Sequence, residues 1–287
     1  MPIRRDCMVM NLQIGIWQGY RLDRNITKRV AEEAGARLDA TRVAKALVPK
    51  QTLAPIITCT SLIRQHFYDH TLPWKDNGDR LMTRQSYPEF IKKHEECTEQ
   101  FKWEVDHFID KTYPLARAQA EFRLGELYNE ADYPTQSELR RRFYVRIDLD
   151  PVTAGVDFLV DLEGADEIRG AIDHQLSQRI TRAAGDAWQR LYDTLQHFAG
   201  KMEGENIFRD STVTNLQKMV HILPELNILD DPNLKAIGVI LENEICRFTP
   251  NELRKEPQVR EAVRERAEEL LDDMRGYMIQ FGLPRQG

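Results

Sequence analysis

The sequence predicts a mainly α-helical protein, a long antiparallel helical hairpin or bundle with a small β-hairpin or three-stranded sheet. Three observations predict it. Ile168, Ile172, Leu176, Ile180, Ala184, Trp188, Leu191, Leu195 and Phe198 step by three or four without a proline, which is the period of one helix face. From Pro88, the residues Phe90, His94, Cys97, Phe101, Val105 and Phe108 repeat the same step. Strict apolar–polar alternation is confined to a few short segments.

The alternating segments define the sheet. Leu12, Ile14 and Ile16 would share one strand face, and Gly19 offers the turn that follows. Phe143–Leu149 alternates cleanly, Pro151–Gly155 reads as a turn, and Val156–Leu162 reads as the mate of a β-hairpin. The segment Leu12–Trp17 is the natural third strand.

The remaining helices follow from caps and breakers. Asp23 can cap a helix whose apolar positions Val30, Ala34, Leu38, Val43 and Leu47 run up to Pro49. A second helix is expected from about Thr52 to His70, with Ile56, Ile57, Ile63 and Phe67 inward. Pro73 stops it, and Asn77-Gly78 marks a turn in the loop Leu72–Leu81. Pro114 is expected to kink the helix that starts near Pro88, with helical character resuming over Ala116–Leu127. Thr135 and Glu138 form a capping-box pattern. Further helices are read from Ser211 or Thr212 to Pro224, from Asn233 to Ile245, and from Pro257 to Phe281. The last places Val259, Val263, Ala267, Leu270, Met274 and Met278 inward.

Three segments result: 1–72 with a strand and helices, 73–205 as a long helical arm with the β-hairpin, and 206–287 as a C-terminal helical part. The boundaries near Pro73 and Asn206 are soft, and one continuous body fits the same pattern. Because strict heptads are not sustained, packing within a bundle is preferred to an isolated two-stranded coiled coil.

Composition narrows the function classes. The 287 residues are 41% hydrophobic and 30% charged, a balance that folds. The net charge is −6, so nucleic-acid binding would have to come from a local basic patch. Four scattered cysteines, Cys7, Cys59, Cys97 and Cys246, form no C-x-x-C pair and read as reduced, small buried side chains. The apolar start Cys7–Met10 is too short for a signal peptide, and no stretch approaches the ~20 apolar residues of a membrane span. A cytoplasmic protein is expected.

No P-loop, dinucleotide fingerprint or G-x-S-x-G elbow occurs, and no catalytic residue, cofactor or metal is expected. His66 and His70 have a helical metal-ligand spacing, but the glutamate of H-E-x-x-H and any third ligand are missing; a structural or surface role is the simpler reading. Pairs such as Glu95 and Glu99 are ordinary on solvated helix faces.

Two segments are candidates for binding. In the loop after Leu72, Trp74, Lys75, Asp76 and Asn77 could engage a partner with Trp74 as anchor, or Trp74 could plug the core of a local turn. In the basic run Arg140–Arg146, the residues Arg140, Arg142, Tyr144 and Arg146 would share a strand face able to hold phosphates and stack on bases. The plainer reading pairs these arginines with nearby acids such as Glu138 and Asp148.

Four stretches together resemble one family. They are Leu72–Gly78, Leu124–Pro134, the strand end Asp157–Val160, and Leu223–Ile228. They resemble a family of phage and integrative-element proteins often encoded beside a MoxR-type AAA+ ATPase and a von Willebrand A-domain protein. The family carries no agreed activity or catalytic residues, so none is transferred. What the resemblance implies is a setting, the cytoplasm of a bacterial host carrying phage or mobile-element DNA. There a non-enzymatic assembly or adaptor protein would bind protein partners, copies of itself or the ATPase. The alternative is a nucleic-acid-binding accessory in recombination, replication or defence evasion.

Overall fold

A computed structural model describes residues 7–152, 165–204 and 207–282. The protein is mainly α-helical, with a four-stranded antiparallel sheet and a separate two-stranded one. Among the described residues, no helix is long and apolar enough to cross a membrane.

Strand β1 (Cys7–Gly15) starts five residues before the expected Leu12, because Val9 and Met10 are themselves buried. Strand β2 (Tyr20–Leu22) and helix α1 (Arg24–Glu33) follow. Asp23 caps α1 as expected, accepting from the Asn25 and Ile26 amides at 3.1 Å each. The helix does not run on to Pro49. It stops at Glu33, where Gly35 takes a left-handed φ of 60°, and Ala44–Ala46 becomes β3, paired antiparallel with β2. Long-range pairing overrides the weak helical spacing of Val43 and Leu47.

Helix α2 (Ala54–Asp69) buries Ile56, Ile63 and Phe67, but Ile57 faces outward at 42% exposure. The expected loop contains two short strands, β4 (Leu72–Pro73) and β5 (Arg80–Thr83), which pair as a hairpin. Helix α3 (Tyr87–His107) runs into a π-turn over Phe108–Thr112, then α4 (Tyr113–Ala118) and α5 (Ala120–Leu124). Pro114, which has no N–H to donate, lies just past that turn, so the expected kink takes the form of a one-residue insertion. Helix α6 (Gln136–Arg140) begins with the expected capping box.

Strand β6 (Tyr144–Pro151) forms where alternation predicts it and lies beside β1, in the order β4-β5-β1-β6. Its expected mate, Val156–Leu162, lies outside the described residues. Helix α7 (Ala165–Met202) is the longest element. Helices α8 (Asp210–Leu226), α9 (Pro232–Ile240), α10 (Pro250–Lys255) and α11 (Pro257–Met278) complete the chain. Pro224 does not end α8; it sits in the last turn, and the helix continues to Leu226.

The chain divides into two compact units. The first comprises Met1–Asn11, Tyr68–Phe90 and Asp148–Gly287, and the second Leu12–Phe67 and Ile91–Ile147. Both are discontinuous in sequence. The soft boundary near Pro73 falls inside the first unit, and position 206 lies outside the described residues.

In the first unit, α7 packs against α8 and α11. Its stripe Leu176, Ile180, Ala184, Trp188, Leu191, Leu195 and Phe198 is buried as expected, whereas Ile168 is 42% exposed. Trp188 lies in this core against Tyr277, ring centroids 5.6 Å apart, and donates its indole N–H to Asp231 at 3.1 Å. Asp231 caps α9 through its other carboxylate oxygen, so one residue ties α7 to the start of α9. The second unit has its own core around Trp17, which meets Tyr113 edge-on at 5.7 Å and Phe108 at 6.1 Å. Phe101, Val105 and Phe108 belong here, so the two long apolar stripes feed two cores.

Candidate functional site

In the β4–β5 hairpin, the Trp74 and Lys75 amides both donate to the Asp79 carbonyl, at 3.0 and 3.2 Å. Gly78 supplies the left-handed φ of 93° that the turn needs, and Asn77 Oδ1 accepts from the Asp79 amide. Burial pushes the Asp79 carboxyl up, but hydrogen bonds from Lys75, Asn11 and Asn77 outweigh this and hold it below its ordinary range. The turn is thus rigidly specified. It points Trp74 into the first unit's core, at 4% exposure, and leaves Lys75, Asp76 and Asn77 at the exposed tip. Asp76 pairs with Arg182 of α7 at 2.7 Å. The tip presents charge and amides, and its aromatic residue serves packing.

The basic run does not form one face. Arg140 is the last residue of α6, not a strand residue, and pairs with Asp106 and with Asp110 at 2.8 Å. Arg142 lies in the turn after α6, its amide bonded to the Leu139 carbonyl. Tyr144 and Arg146 do share the exposed face of β6, with the Arg146 guanidinium 5.8 Å from the Tyr144 ring centre. The Tyr144 ring lies over Gly15, where an added Cβ would come within 2.2 Å of it. Glycine at this position leaves room for the ring to approach the β1 backbone.

The histidines separate by environment. His70 Nδ1 is 3.1 Å from Glu225 in the first unit. His66, in the second unit, lies near His94, which burial and then His66 push down to about 4, so His94 is neutral at neutral pH. Among the described residues, no group of three or more His, Cys, Asp or Glu is set to hold a metal ion.

Three further features of the second unit arise from its folding. The first is a buried ion cluster. Lys45, 8% exposed, places its ammonium 2.7 Å from Asp132, 3.3 Å from Asp23 and 2.7 Å from the Leu127 carbonyl. The ammonium donates to the Leu127 carbonyl and is ion-paired with both carboxylates. Burial alone would lower the Lys45 pKa, but the Asp132 and Asp23 bonds raise it above its ordinary value, so the group is a locked cation and no nucleophile. No local motif signals this, because the three residues lie far apart in the chain.

The second is the outward face of α2. From Gln51 to Ile63 the chain carries no charge. Ile57 and Leu62 are 42% and 53% exposed, and the Thr58 and Ser61 hydroxyls bond back to the Ala54 and Ile57 carbonyls at 3.0 Å. The hydroxyls therefore spend their donors within the helix, leaving an exposed face poor in polar groups. The uncharged run was visible in the sequence.

The third is a groove of about 670 Å³ between the segment before α2 and the ridge of α3–α5, lined by Pro49, Thr52, Lys111, Leu115, Gln119 and Arg123 among others. The ridge carries Trp103, His107, Lys111 and Leu115 at steps of four, off the buried stripe.

No family model matches the chain, and comparison with curated proteins and with solved structures finds no match.

Proposed function

We propose that this chain is a non-enzymatic assembly or adaptor protein of a phage or mobile element. It acts in the bacterial cytoplasm by binding protein partners, including copies of itself and a MoxR-type AAA+ ATPase. The observation that carries this reading is the outward face of α2. An exposed helix face with Ile57 and Leu62 prominent, the small residues Ala54, Thr58 and Ser61 beside them, and no charge from Gln51 to Ile63 loses little on desolvation. Small residues also let an identical helix approach closely, so a second copy can meet the face by two-fold symmetry.

Light scattering tests the reading. The wild-type chain is expected at a multiple of 33.5 kDa, and Ile57→Glu/Leu62→Glu at 33.5 kDa with an unchanged circular dichroism spectrum. Both side chains are exposed, so the substitutions leave the core intact. A wild-type chain that stays at 33.5 kDa at every concentration, with or without the ATPase, counts against the proposal.

A second reading, a nucleic-acid-binding accessory in recombination, replication or defence evasion, is supported by Arg142, Tyr144 and Arg146. These stay exposed, and Arg142 and Arg146 have no ion-pair partner among the described residues, unlike Arg140. Gel shifts at low and high salt are expected to show Arg142→Ala/Arg146→Ala weakening binding, with the salt slope reduced by about two. Unchanged retardation by this variant removes the patch from consideration.

A further inference from the structure

We propose that the groove between Pro49–Thr52 and the α3–α5 ridge takes an acidic peptide segment bearing a large apolar side chain, supplied by a protein partner. This rests on the reading of the chain as a partner-binding protein and names the chemistry of one partner.

The floor is apolar. Pro49, Leu115 and Ala116 line it, and Leu115 is 66% exposed although it sits in a concavity. A volume of about 670 Å³ lies within the range of pockets that enclose small ligands and holds one or two large side chains. Covering Leu115 with an apolar group gains about 25 cal/mol for each Å² removed from water.

The rim is cationic. Lys111 and Arg123 both line the groove, with His107 beside them, and among the described residues no carboxylate lines it. That is a local reversal of a chain whose net charge is −6. Arg123 donates to the Ala46 carbonyl at 2.5 Å, which fixes its guanidinium in place before any ligand arrives. His107 stacks on the exposed Trp103 at 5.4 Å, extending the apolar surface at one end. Phe122, three residues beyond Gln119 in the chain, is 98% exposed. Apolar anchors with pre-positioned cations fit a segment that alternates carboxylates with an aromatic or leucine side chain.

A nucleic acid fits less well. It brings a charge at every phosphate, and the groove offers two permanent cations over an aliphatic floor.

The test is selection from a displayed random dodecapeptide library on the immobilised full-length chain. The expected consensus combines Asp or Glu with Phe, Trp or Leu. A fluorescein-labelled peptide of that consensus should bind the wild type, weaken as salt rises, and lose about tenfold or more on Lys111→Glu and on Leu115→Asp. Lys111→Arg should retain binding. Thermal melts of each variant confirm the fold. A neutral or basic consensus, unchanged affinity on both variants, or displacement by oligothymidylate but not by unlabelled peptide overturns the proposal. Self-association is read separately through α2: a chain that oligomerises but selects no acidic peptide sinks this inference alone. One that stays monomeric yet selects such a peptide sinks only the self-assembly reading.

Discussion

Replacing Lys45 with alanine is expected to destabilise the second unit by about 3–5 kcal/mol, the usual cost of stranding buried charges. The substitution leaves Asp132 and Asp23, with side-chain exposures of 11% and 16%, without their shared ammonium; Asp132 keeps the exposed Arg21 at 3.4 Å. Urea denaturation followed by far-ultraviolet circular dichroism measures the loss. Lys45→Ala/Asp132→Asn should recover part of it, because one stranded charge is gone while the lost packing is not restored. Recovery would separate electrostatics from simple loss of packing, and a Lys45→Ala change below about 1 kcal/mol would mean that solvent screens the cluster.

The pH dependence follows from the same cluster. The Ile26 amide above all, and then Lys45, hold the Asp23 carboxyl below its ordinary 3.8, against the opposing effect of burial. Its contribution to stability is therefore present above pH 3.8 and is lost as pH falls through the lower folded value. Lys45 is raised above 10.5, so its contribution is complete below that pH and is lost as pH rises through the higher folded value. The cluster's own contribution should hold a plateau between these limits, whereas His94, pushed from 6.5 down to about 4, makes the wild type lose stability as pH falls below about 6.5. In Lys45→Ala the acid limb should move to higher pH, because Asp23 keeps its backbone donors but loses the ammonium.

Trp188→Ala is expected to cost the first unit about 3–5 kcal/mol, as large-to-small substitutions of buried aromatics do. Trp188 is 1% exposed, packs on Tyr277, and donates to the Asp231 carboxylate that caps α9. Trp188→Phe keeps most of the ring but removes the donor, and should cost about 1 kcal/mol more than its lost volume alone. Guanidinium denaturation of both variants checks the ranking. An alanine variant no less stable than the phenylalanine one would show that the cavity closes freely.

Much of the local structure was legible. The stripe from Leu176 to Phe198 names the buried face of α7, because a buried helix face must repeat with the helical period. Thr135 and Glu138 announce α6, since a hydroxyl and a carboxylate at that spacing satisfy two orphan amides. The same pattern at Thr249 and Glu252 starts α10. Failures occur where distant residues decide. Val43 and Leu47 have acceptable helical spacing, yet pairing between Ala44–Ala46 and Tyr20–Leu22 makes that segment a strand. Arg140 looks like a strand residue by its neighbours, but it ends a helix and answers to Asp106 and Asp110.

The candidate surfaces divide in the same way. The uncharged stretch Gln51–Ile63 can be read directly, although whether Ile57 faces in or out cannot. The ridge of the groove repeats at steps of four, but its meeting with Pro49 and Thr52, like the meeting of Lys45 with Asp23 and Asp132, joins residues that no spacing rule connects.

By itself, then, the sequence determined the helical class, the periods of the long buried faces and several caps, because these depend on bonds and contacts within a few residues. Only the tertiary structure decided that the two long stripes serve two cores, that Trp74 turns inward, and that Leu115 and Lys111 meet Pro49 and Thr52 across a groove. Burial of apolar surface is non-directional: a stripe declares that it must be covered, but which distant element covers it is chosen by how all the faces fit at once.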